Sequence, residues 1–308
     1  AFVNWIVTYD VSKLKALDAH YALFCYADGG TIDDLFVYRL PDPDDSGQDY
    51  FFLAINASNR AKDVAWVKAH TKGFDVQVKD ISDETYMLAF QGPKAPEIMN
   101  RLTASDLTKM TRFTALQETI LGDVPILLGR TGYTGEDGFE LYFPAQDAVR
   151  VWEKILETGK DDGVLPVGLA ARDSLRFEPC MPLYGHELSA DISPVEARLT
   201  FAVSFDKNFI GRDALLKKKL EKPSRVLVGF EMLEKAVARD GYTVVANEKE
   251  VGVVSTGMFS PTLKRYLGLA LVARESSKIG TEIEIVIRGK AKKAKIIKRP
   301  FYIPAYRR

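Results

Sequence analysis

Cysteine and histidine are scarce in this chain of 308 residues, which holds two of the first, Cys25 and Cys180, and three of the second, His20, His70 and His186. The cysteines stand far apart and follow no metal or redox spacing, so they read as free thiols of a reducing compartment. Three scattered histidines exclude a His-rich metal centre, and no metal is expected. No apolar run approaches the ~18 residues of a membrane helix, and no secretory signal is visible. Excess charge of one sign is lacking too: 42 Lys and Arg balance 42 Asp and Glu. No global field therefore gathers nucleic acid.

What is present is ordinary globular material, 46% apolar and 27% charged, in a length that usually means two or three domains with their own cores. Charge is unevenly spread. Nine Lys or Arg and no acid occur from Arg288 onward, whereas Asp42 to Asp49 is acidic. The Lys290, Lys292, Lys293, Lys295 stretch reads first as the wet face of a guarded edge strand. The alternative is a landing strip for an acidic protein or a polyanionic tail.

Two stretches carry the chemistry. Arg130 to Leu141, RTGYTGEDGFEL, holds three glycines around Tyr133, Glu136 and Asp137, and its apolar flanks alternate with period two, so it predicts a β-hairpin with a ligand-sized tip. Glu140 opposes the Phe139, Leu141, Phe143 face and must point to water or into a cavity that supplies donors. Gly168 to Leu188 predicts a short helix bearing Arg172, Asp173 and Arg176, then a loop rich in hydrogen-bonding groups, LYGHEL.

Around these, Tyr21–Ala27, the Asp28-Gly29-Gly30 turn and Thr31–Leu40 predict a hairpin, with Asp33 and Asp34 in its second strand. Asp10 reads as a helix cap. From about residue 50 to 119 the order strand, helix, strand, strand, helix, strand, with one strand over 74–78, is ferredoxin-like. Residues 145–158 predict an amphipathic helix with Val149, Trp152, Ile155 and Leu156 as core, and Ser193 to Phe205 reads as a strand. Beyond Arg225 six short alternating strands punctuated by glycine predict an antiparallel barrel or sandwich. The domain reading is thus 1–48 as part of a first domain running into a second, 49–119 as the ferredoxin-like unit, 120–223 as hairpin and helices completing the first domain, and 224–308 as a barrel.

The blocks DVSKL, DGGTIDDLFVYRL, RTGYTGEDGFEL, ARDSLRFEPCMPLYGHEL, SPVEARLTFAV, FIGRDAL and STGMFSPTLKRYLGLALV, in this order along the whole chain, resemble the T-protein of the glycine cleavage system, a folate-dependent aminomethyltransferase. The resemblance lacks the family's opening block, roughly fifty to sixty residues ahead of Ala1 to Leu14, and so implies a chain short of part of its first domain. It implies an α+β, three-domain, cloverleaf-like fold. The implied reaction moves a methylene unit from the aminomethyl-dihydrolipoyl arm of the H-protein to tetrahydrofolate, with release of ammonia. Tetrahydrofolate is then a co-substrate and the lipoylated H-protein the partner. The chain is expected to be monomeric, with no nucleic acid or membrane partner, and to work in the mitochondrial matrix of a eukaryote or the cytoplasm of a prokaryote rather than outside the cell.

Carried over residue by residue, Asp10 is the implied catalytic carboxylate, and Glu140, Arg172 and the C-terminal Tyr306 are implied folate contacts. Tyr133, Tyr184, Arg239 and Tyr26 are implied at the pocket or its wall. Tyr26 and Tyr9 stand where Asn is common in the family, and Phe201 where Trp is common. Two rival readings are a one-carbon transferase or demethylase using another methyl donor, and a non-catalytic folate-binding scaffold.

Overall fold

The computed structural model describes residues 1–304. A short helix, α1 (Phe2–Ile6), leads to the hairpin β1 (Ala19–Cys25) and β2 (Thr31–Leu40), and then to β3 (Tyr50–Ala54) and α2 (Arg60–Ala69). Next come β4 (Thr85–Gln91), α3 (Ala95–Met99), β5 (Ala115–Ile120), β6 (Val124–Gly129), β7 (Gly138–Pro144), α4 (Ala148–Thr158), α5 (Leu169–Phe177) and α6 (Arg212–Glu221). Six strands close the described chain: β8 (Arg225–Met232), β9 (Thr243–Ala246), β10 (Lys249–Phe259), β11 (Tyr266–Ala273), β12 (Glu282–Ile287) and β13 (Lys290–Ile297).

These strands make three sheets: β1-β2-β3, β4-β7-β6-β5, and a closed barrel in the order β10-β11-β8-β13-β12-β9. The mixed α and β character and the antiparallel C-terminal barrel agree with the sequence reading. The ferredoxin-like unit over 49–119 does not form as read. Strand β3 pairs with β2, residues 74–78 form no strand, and β4 and β5 join a sheet completed by β6 and β7. Element order cannot distinguish these pairings, because partners are chosen by which apolar faces are covered rather than by sequence adjacency.

Burial accounts for the division. Leu88, Phe90, Ile126, Leu128, Phe139, Leu141 and Phe143 face α3 and α4 in one core. In α4 the buried residues are Val151 and Ile155, while Val149 is 68% and Trp152 39% exposed, so Trp152 is not the core residue its spacing suggested. Ser193 to Phe205 is turns and one 3₁₀ turn rather than a strand. The other face of the four-stranded sheet packs on the first sheet through Ala19, Tyr38, Ala115 and Tyr142, with Phe52 against them. Main-chain bonds from Ala19 N to Phe113 O at 2.7 Å and Ala115 N to Leu17 O at 2.6 Å also tie the two sheets. Strand β7 is buried on both faces as a result.

The barrel closes on Val226, Val228, Phe230, Val244, Val254, Ala270, Val272, Ile283 and Ile285. Its lysine-rich strand β13 pairs with β12 on one side and β8 on the other. It is therefore no sheet edge, and the lysines mark the outer face of a closed wall. Two polar joints dock the barrel on the segment after α5. Glu178 accepts from the Thr262 amide at 3.0 Å and the Ser260 hydroxyl at 2.5 Å. Glu187, in a fully buried ion pair with Arg176 at 2.8 Å, accepts from Ser255 and Thr256 of β10 at 2.6 and 2.7 Å.

Candidate functional site

The hairpin tip between β6 and β7 is stapled from within. Arg130 grips Asp137 through two bonds, 3.0 and 2.6 Å, and Gln91 Nε2 donates to Thr131 O at 3.1 Å and Phe139 O at 2.9 Å. Glu136 accepts from the Tyr302 hydroxyl. Asp137 thus serves the tip's own shape, and Glu136 ties the tip to the segment after the barrel. Gly135 has φ +74°, and a Cβ there would meet Pro179 at 2.8 Å, so only glycine lets the tip lie this close to the segment after α5.

Glu140 leaves the tip on β7 and points between the two sheets, where it is 8% exposed. Its Oε2 accepts from Thr131, from Tyr142 at 3.4 Å and from Tyr38 at 3.5 Å. None of the hydrogen bonds described reaches Oε1. Gly129 makes room for this cluster, since a Cβ there would stand 2.6 Å from the Tyr38 hydroxyl. Burial pushes the Glu140 carboxyl above its ordinary range, against the pull of those hydroxyls and of Arg172. The carboxylate is thus held by neutral donors on one oxygen, with a cation within electrostatic reach.

Arg172 stands on α5 with its guanidinium 4.6 Å over the Tyr133 ring, a cation–π placement. The Tyr133 hydroxyl donates to Pro182 O. Burial raises the Tyr133 hydroxyl far above its ordinary range, and Arg176, Asp34 and Arg172 all act on it. Arg172 therefore lies over Tyr133 and within electrostatic reach of Glu140.

Asp34 acts on the same Tyr133 ring through its charge, while the contacts of Asp10 are local. On β2, Asp34 accepts from the Tyr21 hydroxyl at 2.9 Å and from Asn56 Nδ2 at 2.9 Å, and Tyr21 in turn lies in the field of both Asp34 and Tyr133. Burial, then the neighbouring Asp33, raises the Asp34 carboxyl to about 6. Asp10 caps a single 3₁₀ turn: it accepts from the Ser12 amide at 3.2 Å and hydroxyl at 2.6 Å, and pairs with Lys13 at 3.4 Å. Burial works to raise its carboxyl but is outweighed by Ser12 and Lys13, which hold it below the ordinary range. The signal for Asp34 was legible: two adjacent acids inside an otherwise apolar strand, where unpaired burial is costly.

The remaining residues lie apart from Glu140. Tyr184 sits under Lys62 at 4.6 Å, donates to Thr31 O at 3.4 Å, and has Tyr26 within its field. Arg239 is exposed on the turn before β9, next to Asp240, which reaches His186 at 3.9 Å. Tyr306 lies outside the described residues. No group of acids, histidines and cysteines suited to a metal ion occurs among the described residues, and no described helix is long and apolar enough to cross a membrane.

Comparison with known proteins gives the same direction along the whole chain. Residues 1–207 match the family model of the GCVT N-terminal domain, and residues 225–302 that of the glycine cleavage T-protein C-terminal barrel domain. An aminomethyltransferase of Geobacillus kaustophilus (strain HTA426) is 50% identical over 304 residues, 98% of this chain and 82% of that one. One of Thermoanaerobacter sp. (strain X514) is 47% identical over 308 residues, 100% and 82% respectively. The crystal structure of glycine cleavage system aminomethyltransferase T from Bartonella henselae superposes with a TM-score of 0.88 at 31% identity, covering 98% of this chain and 81% of that chain. The chain thus belongs to the glycine cleavage T-protein family and is an aminomethyltransferase, an enzyme that transfers one-carbon units.

Proposed function

We propose that the one-carbon unit is handed to tetrahydrofolate between β2, the β6–β7 tip and α5, with Glu140, Arg172 and Asp34 as the groups that bind and act. The single observation behind this reading is the placement of Arg172, whose guanidinium lies 4.6 Å over the Tyr133 ring and acts on the buried Glu140, with the part-buried Asp34 acting on the same Tyr133. A pterin edge offers adjacent N–H donors, and Glu140 has an oxygen to receive them while Tyr38, Tyr142 and Thr131 steady the other. Charge-assisted bonds of this kind contribute roughly 1.5–3 kcal/mol. Arg172 is fixed against Tyr133 and positioned to pair with an anionic or electron-rich part of the folate.

Asp34 takes the role that sequence resemblance attached to Asp10. A carboxylate beside a developing iminium-like cation stabilises it electrostatically without first having to move a proton. Held by Tyr21 and Asn56, it is pre-oriented for that task. The donor of the one-carbon unit is the aminomethyl-dihydrolipoyl arm of an H-protein. The face it meets includes the exposed apolar run Leu165, Val167 and Leu169 leading into α5, and the exposed Phe201, stacked on Tyr21 with ring centroids 6.1 Å apart, is a further apolar group open to it.

The test is methylene transfer from aminomethylated H-protein, run beside tetrahydrofolate titration. Asp34→Asn is expected to lose transfer and keep folate binding, Asp10→Asn to keep both, and Glu140→Gln to weaken folate binding by about ten- to a hundredfold. Full activity in Asp34→Asn with loss in Asp10→Asn would return the role to Asp10. Turnover of small N- or S-methyl compounds without H-protein would favour a different methyl donor, and no folate binding at all a scaffold.

A further inference from the structure

Beneath Asp34 lies a second pair of acids, which none of the roles above uses. Asp33 on β2 and Asp63 on α2 are both wholly buried, 0% exposed. One oxygen of each is satisfied. Asp33 Oδ1 accepts from Asn56 Nδ2 and Asn59 Nδ2, both at 2.9 Å, and Asp63 Oδ1 accepts from Lys62 Nζ at 2.9 Å. The other two, Asp33 Oδ2 and Asp63 Oδ2, are buried with no donor supplied by another residue; Lys62 Nζ, donating both to Ile32 O on β2 and to Asp63 Oδ1, holds the two acids side by side, each in the other's field. Two ionised carboxylates offer each other no donor and repel at this separation, so a pair buried in this way is stable only with a proton between them.

We infer that Asp63 is a positioning residue for the transfer reaction: a carboxyl whose proton is donated to Asp33, so that Asp33 stays in place to hold Asn56, and Asn56 aims the Asp34 carboxylate. The link is one amide. Asn56 Nδ2 reaches Asp33 Oδ1 at 2.9 Å, Asp34 Oδ1 at 2.9 Å and Asp34 O at 3.2 Å. Burial, then Asp33, raises the Asp63 carboxyl to about 8. The charged and titratable groups facing the pair are Lys62 from α2 itself, Asp34 on β2, Tyr21 on β1 and Tyr184 from the loop after α5. Lys62 also donates to Ile32 O, so its ammonium is shared rather than devoted to Asp63. Above about pH 8 the Asp63 proton leaves to solvent, the two carboxylates repel, and the hold on Asn56 and Asp34 slackens.

This inference rests on the reading of Asp34 as the acting carboxylate, and two readouts on the whole chain keep the two apart. Infrared spectra at neutral pH report the pair alone. The C=O stretch of a protonated carboxyl is expected in the wild type and in Asp34→Asn, and is expected to be lost in Asp63→Asn. Transfer kinetics report positioning. Asp63→Asn, whose amide replaces the O–H donor, is expected within about threefold of wild type at pH 7 and without its decline in kcat above about pH 8. Asp63→Ala is expected to lose roughly tenfold or more in kcat with little change in folate KM. No difference band between wild type and Asp63→Asn, equal impairment of Asn and Ala, or full kcat in a folded Asp63→Ala would each overturn the proposal. If Asp63→Ala does not fold, the band and the alkaline limb of Asp63→Asn decide. A band that is present while Asp34→Asn keeps full transfer would sink the Asp34 reading and leave the shared proton standing.

Discussion

Replacing Glu187 by Ala is expected to unfasten the barrel from the helix that carries Arg172. Glu187 Oε2 accepts from Arg176 at 2.8 Å and from the Leu183 amide at 3.0 Å, and Oε1 from Ser255 at 2.6 Å and Thr256 at 2.7 Å. Arg176 is 1% exposed. Burial alone would lower the Arg176 pKa, and the Glu187 carboxylate does most to restore it. Its other partners are the half-exposed Asp173 at 2.8 Å, Met181 O at 3.2 Å and the Thr256 hydroxyl at 3.1 Å. Truncation would leave a buried guanidinium without its buried anion and the Leu183 amide and Thr256 hydroxyl without an acceptor, while Ser255 keeps Leu269 O at 3.3 Å. Removing one member of a buried pair typically costs about 3–5 kcal/mol. In urea, followed by circular dichroism, that corresponds to a fall on the order of 1 M in the unfolding midpoint. The joint replacement Arg176→Met with Glu187→Leu removes both charges and is expected to recover much of the loss, because the penalty comes from the orphaned charge more than from a missing attraction. A loss under about 1 kcal/mol in Glu187→Ala, or a double variant no more stable than the single one, would refute the reasoning.

Other perturbations follow from the same geometry. If ionised Asp34 is the acting form, kcat/KM should fall about tenfold per pH unit below about 6, the value its burial and Asp33 impose; a plateau reaching down to pH 4 would contradict that assignment. The stability contribution of the same group has the opposite sense. Its folded pKa is raised, so its contribution is fully present below the ordinary carboxylate value and is lost as pH rises through about 6, a slope that Asp34→Asn should remove from the wild-type stability curve. In Gly30→Ala a Cβ would lie 1.9 Å from Ala190 O, and backbone cannot yield as a side chain can, so thermal denaturation should show a loss of about 1–3 kcal/mol. Leu169 is 83% exposed; Leu169→Asp should leave stability within about 0.5 kcal/mol and raise the KM for H-protein, and an unchanged KM would remove Leu169 from the docking face.

Local chemistry was enough to foretell some of this molecule. Alternation and glycine spacing marked the β6–β7 tip and the six barrel strands, because side-chain direction in a strand has a period of two whatever surrounds it. The same alternation placed Glu140 opposite Phe139 and Leu141, and only two outcomes were then open to it. Which outcome applied depended on a partner sheet: Tyr38 on β2 and Tyr142 on β7 close over the carboxylate, and β2 lies about a hundred residues away in sequence. Strand partnership was not legible either, since β3 and β4 are near neighbours in the chain yet join different sheets. Asp10 and Asp34 show the limit most plainly. Each is an acid near the start of the chain, and a turn with Ser12 at its second position already makes Asp10 a cap by local rules. Whether Asp34 meets Tyr21 and Asn56 and acts on Tyr133 is decided by how β2 packs with β1 and near the tip, and long-range contacts of that kind leave no periodicity in the sequence.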